Sequence, residues 1–145
     1  MADWPDLGGK LLADGGHELA VRVYYEDTDF SGAVYHANYL KFCERGRSDF
    51  LRLKNVHHHE LAAQMGGGFV VRHMICDFLS PARIDDLLVI KTHIVEISGA
   101  RLELAQKVER EGAVLFQAQV KIALVDGRGR PQRLSQAVLA LGQPN

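Results

Sequence analysis

The chain has 145 residues, 47% of them hydrophobic and 24% charged, with a formal net charge of -1. That length suits one domain with a core large enough to fold alone. There is no basic excess to hold nucleic acid or an anionic membrane surface, so no nucleic-acid partner is expected.

Taken in order, the N-terminus lacks a basic start followed by an apolar run, so no secretory signal is read and a cytoplasmic location is expected. No apolar run approaches the roughly 20 residues that span a bilayer, so no transmembrane segment is expected. Residues 1–16 hold Pro5 and several glycines with no sustained period, and read as a flexible N-terminal leader. Residues 17–145 read as a single domain. From Glu18 to Glu26 the pattern alternates, with Leu19, Val21, Val23 and Tyr25 on one face of a half-buried strand.

Asp27, Thr28, Asp29 and Ser31 then crowd around Gly32, which predicts a polar turn. Tyr39 to Leu53 is the one long helical pattern, its apolar stripe running through Tyr39, Phe42, Cys43, Gly46, Phe50 and Leu53. Gly46 lies inside that stripe, where a missing side chain lets a sheet approach closely. Lys41, Glu44, Arg45, Asp49 and Arg52 fall mostly on the other faces and read as solvated. A short helix follows around Glu60 to Gln64, then strands near Phe69–Phe78, Leu87–Ile97, Arg101–Arg110 and Val114–Val125. The short links favour antiparallel neighbours, with Pro81 interrupting the first junction. Ser135 to Leu141 reads as a terminal helix. One long helix and antiparallel strands make an α+β domain, the helix packed on one face of the sheet.

Cys43 and Cys76 lie in apolar segments and read as small buried hydrophobes, not as a disulfide or CxxC pair. His57, His58 and His59 are consecutive, so they cannot all face one ion on regular backbone, and no spaced partners complete a metal pattern. No metal and no cofactor are expected. A Walker-type loop and a G-x-S-x-G elbow are absent, which leaves nucleotide hydrolysis and serine esterase chemistry without support.

The chemistry is expected where strand, turn and helix start meet, between Val23 and Arg52. Backbone N–H groups at a helix start are unpaired and attract developing negative charge. A carboxylate and an imidazole a few residues away supply acid, base or nucleophile.

The same stretch carries a resemblance. Tyr24-Tyr25-Glu26-Asp27-Thr28-Asp29, Gly32 and Val34-Tyr35-His36-Ala37-Asn38-Tyr39, followed by Glu44-Arg45-Gly46-Arg47 and Asp77-Phe78-x-x-Pro81-Ala82, resemble the 4-hydroxybenzoyl-CoA thioesterase family of hotdog proteins. Within it they are most similar to the acyl-CoA thioesterases associated with the Tol–Pal system. The resemblance implies a hotdog fold, a five-stranded antiparallel sheet wrapped around one long central helix. It also implies assembly as a homodimer or homotetramer, which would cover exposed sheet edges.

It implies, too, that Asp29 is the catalytic carboxylate, as the second aspartate of Asp-x-Asp. By residue type alone an aspartate in such a turn is a turn former, and Asp27 already supplies one. Asp29 would attack the thioester carbonyl or activate a water. His36 would orient the thioester or protonate the departing thiolate, a backbone N–H near it would hold the oxyanion, and Tyr25 would hydrogen-bond the attacking group. Arg72, His73, Arg83, Lys91 and Arg101 are the cations available to the phosphates of coenzyme A. The expected function is hydrolysis of acyl-CoA to a free acid and coenzyme A, with acyl carrier protein as a further partner. The alternatives are a hotdog hydratase or dehydratase, and a non-catalytic module that binds acyl-CoA or acyl carrier protein.

Overall fold

In the computed structural model, which describes residues 7–141 and 143, the strands are β1 (Lys10–Leu11), β2 (His17–Arg22), β3 (Gly68–Phe78), β4 (Leu87–Ser98), β5 (Arg101–Arg110) and β6 (Ala113–Val125). The helices are α1 (Asn38–Leu53), α2 (His58–Met65) and α3 (Gln136–Leu139). The strands make one sheet in the order β1-β2-β4-β5-β6-β3, every neighbouring pair antiparallel.

Two expectations are corrected. The sheet has six strands, not five, because Lys10 and Leu11 pair with Glu18 and His17. The turn that allows this is closed by the bonds Gly15 N–H to Leu12 O and Leu12 N–H to Gly16 O. So part of the stretch read as a leader is sheet, while residues 1–6 lie outside the described residues. Second, β3 does not pair with β4, which follows it, but with β6 at the far edge. The link between them crosses the end of the sheet. Leu79 N–H bonds Leu115 O, and Ala82 O receives Val34 N–H. Pro81 sits in that crossing, where a missing N–H removes no ladder bond.

The sheet bends around α1. Register shifts at Val71/His73, Ile94/Glu96 and Val108/Glu109 mark bulges, which raise local curvature. The helix packs against β2, β4 and β5 with Phe42, Cys43, Gly46 and Phe50 buried. Gly46 is at the closest approach: a Cβ there would lie 2.9 Å from Ile90 Cγ2 and 3.3 Å from Thr92 Oγ1. Only glycine fits without displacing β4.

The helix carries more polarity into the core than its pattern suggested. Asp49, expected on a solvated face, is buried, because β2 presents His17 to it at 2.7 Å. Gly9 N–H and Arg52 Nη2 complete its shell. His17 stacks on Phe50, and its Nδ1 is sealed from solvent without a partner. Arg47 is buried as well, and donates to Gln106 Oε1, whose amide bridges to Cys43 O and Thr92 Oγ1.

Candidate active site

The alternating strand ends at Arg22, and residues 25–27 turn in a short 3-10 segment. Tyr25 therefore leaves the core face predicted for it and is 84% exposed. Asp27 turns inward instead. Its Oδ2 accepts Tyr24 N–H and its Oδ1 accepts Asn38 Nδ2–H, both at 2.9 Å. Asp27 O also accepts Tyr35 N–H. One buried carboxylate thus locks the turn to the first residue of α1.

Beyond it the chain makes a tight loop, bridged Thr28 to Val34, with Gly32 at φ 85° supplying the left-handed turn. Asp29 stands at the start of this loop and is exposed. Its Oδ1 accepts Ser31 N–H and Ser31 Oγ–H, while Oδ2 has no hydrogen bond among the described residues. The two Ser31 bonds hold the carboxyl below its ordinary range, with a smaller contribution from His36. The result is an ionised carboxylate with one oxygen tied and one free.

The start of α1 has open donors. Its N-cap, Ala37, contributes no side-chain cap, and His36 N–H donates to no backbone carbonyl among the described residues. That is the arrangement in which a helix start receives negative charge. The His36 ring lies 4.4 Å from Tyr35 and edge-on to Phe78 at 6.3 Å. Phe78 continues to Phe116 and Tyr39, and Tyr39 Oη accepts Ala82 N–H. Phe78, Tyr39, Val34 and the 79–81 link wall a cavity of about 260 Å³.

The loop therefore sets Asp29 near enough to His36 for the imidazole to add to the lowering of the Asp29 pKa, with the helix start beside His36. The Tyr25 hydroxyl makes no hydrogen bond among the described residues, so nothing joins it to Asp29 within one chain. Phe78 is the wall that sequence reasoning did not assign. The signal was present in its position, last in a strand and three residues before Pro81. Of the cations considered for coenzyme A, Arg83 is nearest the loop, bridged through its backbone to Ala33. Lys91 is paired to Glu109 on β5, and Arg72 and His73 lie at the β3 edge. No group of three or more metal-ligating side chains occurs among the described residues.

The model of the thioesterase superfamily matches residues 31–117. The acyl-CoA thioesterase YbgC of Haemophilus influenzae is 40% identical over 130 residues, 89% of this chain and 96% of that protein. The acyl-CoA thioester hydrolase YbgC of Escherichia coli O157:H7 is 41% identical over 122 residues, 83% of this chain and 90% of its own length. Among solved structures, a probable thioesterase from Bartonella henselae superposes with TM-score 0.80 at 47% identity, covering 83% of this chain and 99% of that one. A 4-hydroxybenzoyl CoA thioesterase mutant complexed with 4-hydroxybenzoyl CoA has TM-score 0.81 at 17% identity, covering 88% and 99%, a likeness of fold alone. The fold is the hotdog arrangement, and the chain belongs to the thioesterase superfamily.

Proposed function

We propose that this chain hydrolyses acyl-CoA thioesters to free acids and coenzyme A, with Asp29 as the attacking group. The observation that carries this reading is the free Oδ2 of an ionised Asp29 in a loop that also presents His36 and an uncapped helix start. A carboxylate held below its ordinary range stays charged, so it is available to attack the thioester carbon directly. Oδ2 forms a bond to the thioester carbon, and the carbonyl electrons move to oxygen. The N–H near His36 receives that oxyanion, an interaction worth about 3 kcal/mol per donor in hydrolases. Collapse breaks the C–S bond, and the thiolate leaves with a proton from His36 or solvent. Water then hydrolyses the mixed anhydride and restores Asp29.

The cavity beside Phe78 and Tyr39 takes the first carbons of the acyl group, and Arg83 is placed for a coenzyme A phosphate. We assign the protein to the cytoplasm and to a homodimer or homotetramer, with a single domain that takes in β1 as well as residues 17–145. Among the described residues no helix is long and apolar enough to cross a membrane. The test is release of free thiol from a panel of acyl-CoAs of graded length, aliphatic and aryl. Binding without thiol release from any of them would leave a non-catalytic acyl-CoA module in its place.

A further inference from the structure

Asp29 is exposed, and a carboxyl in that setting samples several side-chain rotamers and a broad, near two-fold last torsion. Asp27, two residues earlier, has both oxygens bonded, one of them to the first residue of α1. Asp29 has no such anchor on another element. Its side-chain hydrogen bonds among the described residues come from Ser31 alone, by N–H at 2.8 Å and by hydroxyl at 2.5 Å, both to Oδ1. The hydroxyl bond falls in the short range of charge-assisted O–H···O⁻ contacts, about 2.5–2.7 Å. It is also the largest of the effects that lower the Asp29 pKa, ahead of the N–H bond.

The direction of that hydroxyl is set by the loop. Ala33 N–H donates to Ser31 Oγ at 3.4 Å, which occupies a lone pair and leaves the single O–H for Asp29. Ala33 is held in turn, its carbonyl accepting Asp29 N–H at 2.9 Å and its backbone bridged to Arg83. The hydroxyl therefore ties the carboxylate to the frame of the loop. An alanine at 31 would keep the N–H bond, and with it the turn, but would free the carboxyl to rotate. We propose that Ser31 is a positioning residue for the attack: its hydroxyl and N–H hold Oδ1, so that Oδ2 alone is presented to the thioester carbon. This rests on the reading of Asp29 as the attacking group. Ser31 bonds the oxygen that does not attack, so it contributes alignment and not reactivity. By charge alone the bonds would slow the attack, since they draw electron density towards Oδ1. Alignment outweighs this, because a misplacement of about 1 Å can cost up to about 10²-fold in rate.

Thiol release from acyl-CoA is measured for the unaltered chain, Ser31→Ala, Ser31→Thr, Asp29→Asn and the double variant, each checked by circular dichroism. Ser31→Ala should lower kcat about tenfold and change KM less than about twofold, because the substrate keeps its contacts while the attack loses its alignment. Ser31→Thr, which retains a hydroxyl, should recover most of that loss. In the Asp29→Asn background, Ser31→Ala should change the residual rate less than about twofold, because it acts through a carboxylate that is no longer there. A kcat for Ser31→Ala that is unchanged or raised would overturn the proposal. So would a threonine variant as slow as the alanine one, or an equal tenfold loss in both backgrounds. Those results leave Asp29 as the attacking group. Near-normal thiol release by Asp29→Asn would instead overturn the reading on which the proposal rests.

Discussion

Asp27 Oδ1 and Asn38 Nδ2 meet at 2.9 Å in a buried contact that fixes the helix start relative to the loop. The other Asp27 oxygen holds Tyr24 N–H. Asp27→Asn keeps one acceptor and turns the other into a donor, facing either Asn38 or Tyr24. An unsatisfied buried group of this kind costs about 1–3 kcal/mol. Chemical denaturation should show a loss in that range, with most hydrolytic activity kept by the folded fraction. Unchanged stability would mean that the contact does not anchor the loop.

Asp29→Asn should behave in the opposite way. Asn keeps an acceptor for the two Ser31 donors, and the position is exposed, so stability should change by less than about 0.5 kcal/mol. Loss of the charge removes the attacking group, and kcat should fall about a hundredfold or more, as with essential catalytic groups elsewhere. Near-normal thiol release by a purified, folded variant would remove Asp29 from its role.

His36→Ala separates the side chain from the backbone donor beside it. The N–H survives the substitution, so the oxyanion keeps its partner. Thiolate is a good leaving group, so the loss should sit at or below the general-acid range of about 10²–10⁴-fold and below that of Asp29→Asn. Acyl-CoA binding should persist. Greater damage than Asp29→Asn at saturating substrate would make the histidine the principal base.

The buried His17–Asp49 pair predicts a pH dependence of stability. Burial lowers the His17 pKa from 6.5, outweighing the hydrogen bond and charge of Asp49, so the folded state holds it neutral. The unfolded chain takes up a proton near 6.5 that the folded chain refuses, and stability therefore falls as pH drops through that value. For Asp49, burial raises the pKa, but the bonds from His17, Gly9 and Arg52 outweigh it and leave it lowered. Its contribution is present above 3.8 and is lost as pH falls below that. Thermal melts from pH 7.5 to 5 should show a declining Tm, and His17→Gln, which can still donate to Asp49 without titrating, should flatten the slope. An equal slope in the variant would assign the decline to other groups.

The long helix, the four later strands and the glycine at the helix–sheet crossing were legible because period and turn chemistry are local signals. Gly46 in particular was readable as a gap in an apolar stripe, and Ile90 fills it. The Asp29 loop was legible as a motif, but not its geometry, since nothing local says that Asp27 turns inward and Asp29 outward. Tyr25 was misplaced because alternation gave no sign that the strand stops at Arg22. Asp49 and Arg47 were missed for a different reason. Their partners, His17 and Gln106, lie 32 and 59 residues away, and no helical period reports on contacts at that range.

The strand order also constrains how the chain can fold. β4–β5 and β5–β6 are joined by tight turns, so this meander can close without large loop entropy. β2 must wait for β4, whose Lys91 pairs with Glu18, and β3 must wait for β6, whose Val125 pairs with Gly68. During synthesis the N-terminal half, including the Asp29 loop and α1, therefore emerges before any strand that can complete its sheet. The β1–β2 hairpin and β3 join last, on opposite sides of a nucleus made by the C-terminal half. Non-local pairing of this kind is slow, and until β4 and β5 have been made the apolar stripe of α1 has neither of them to rest on.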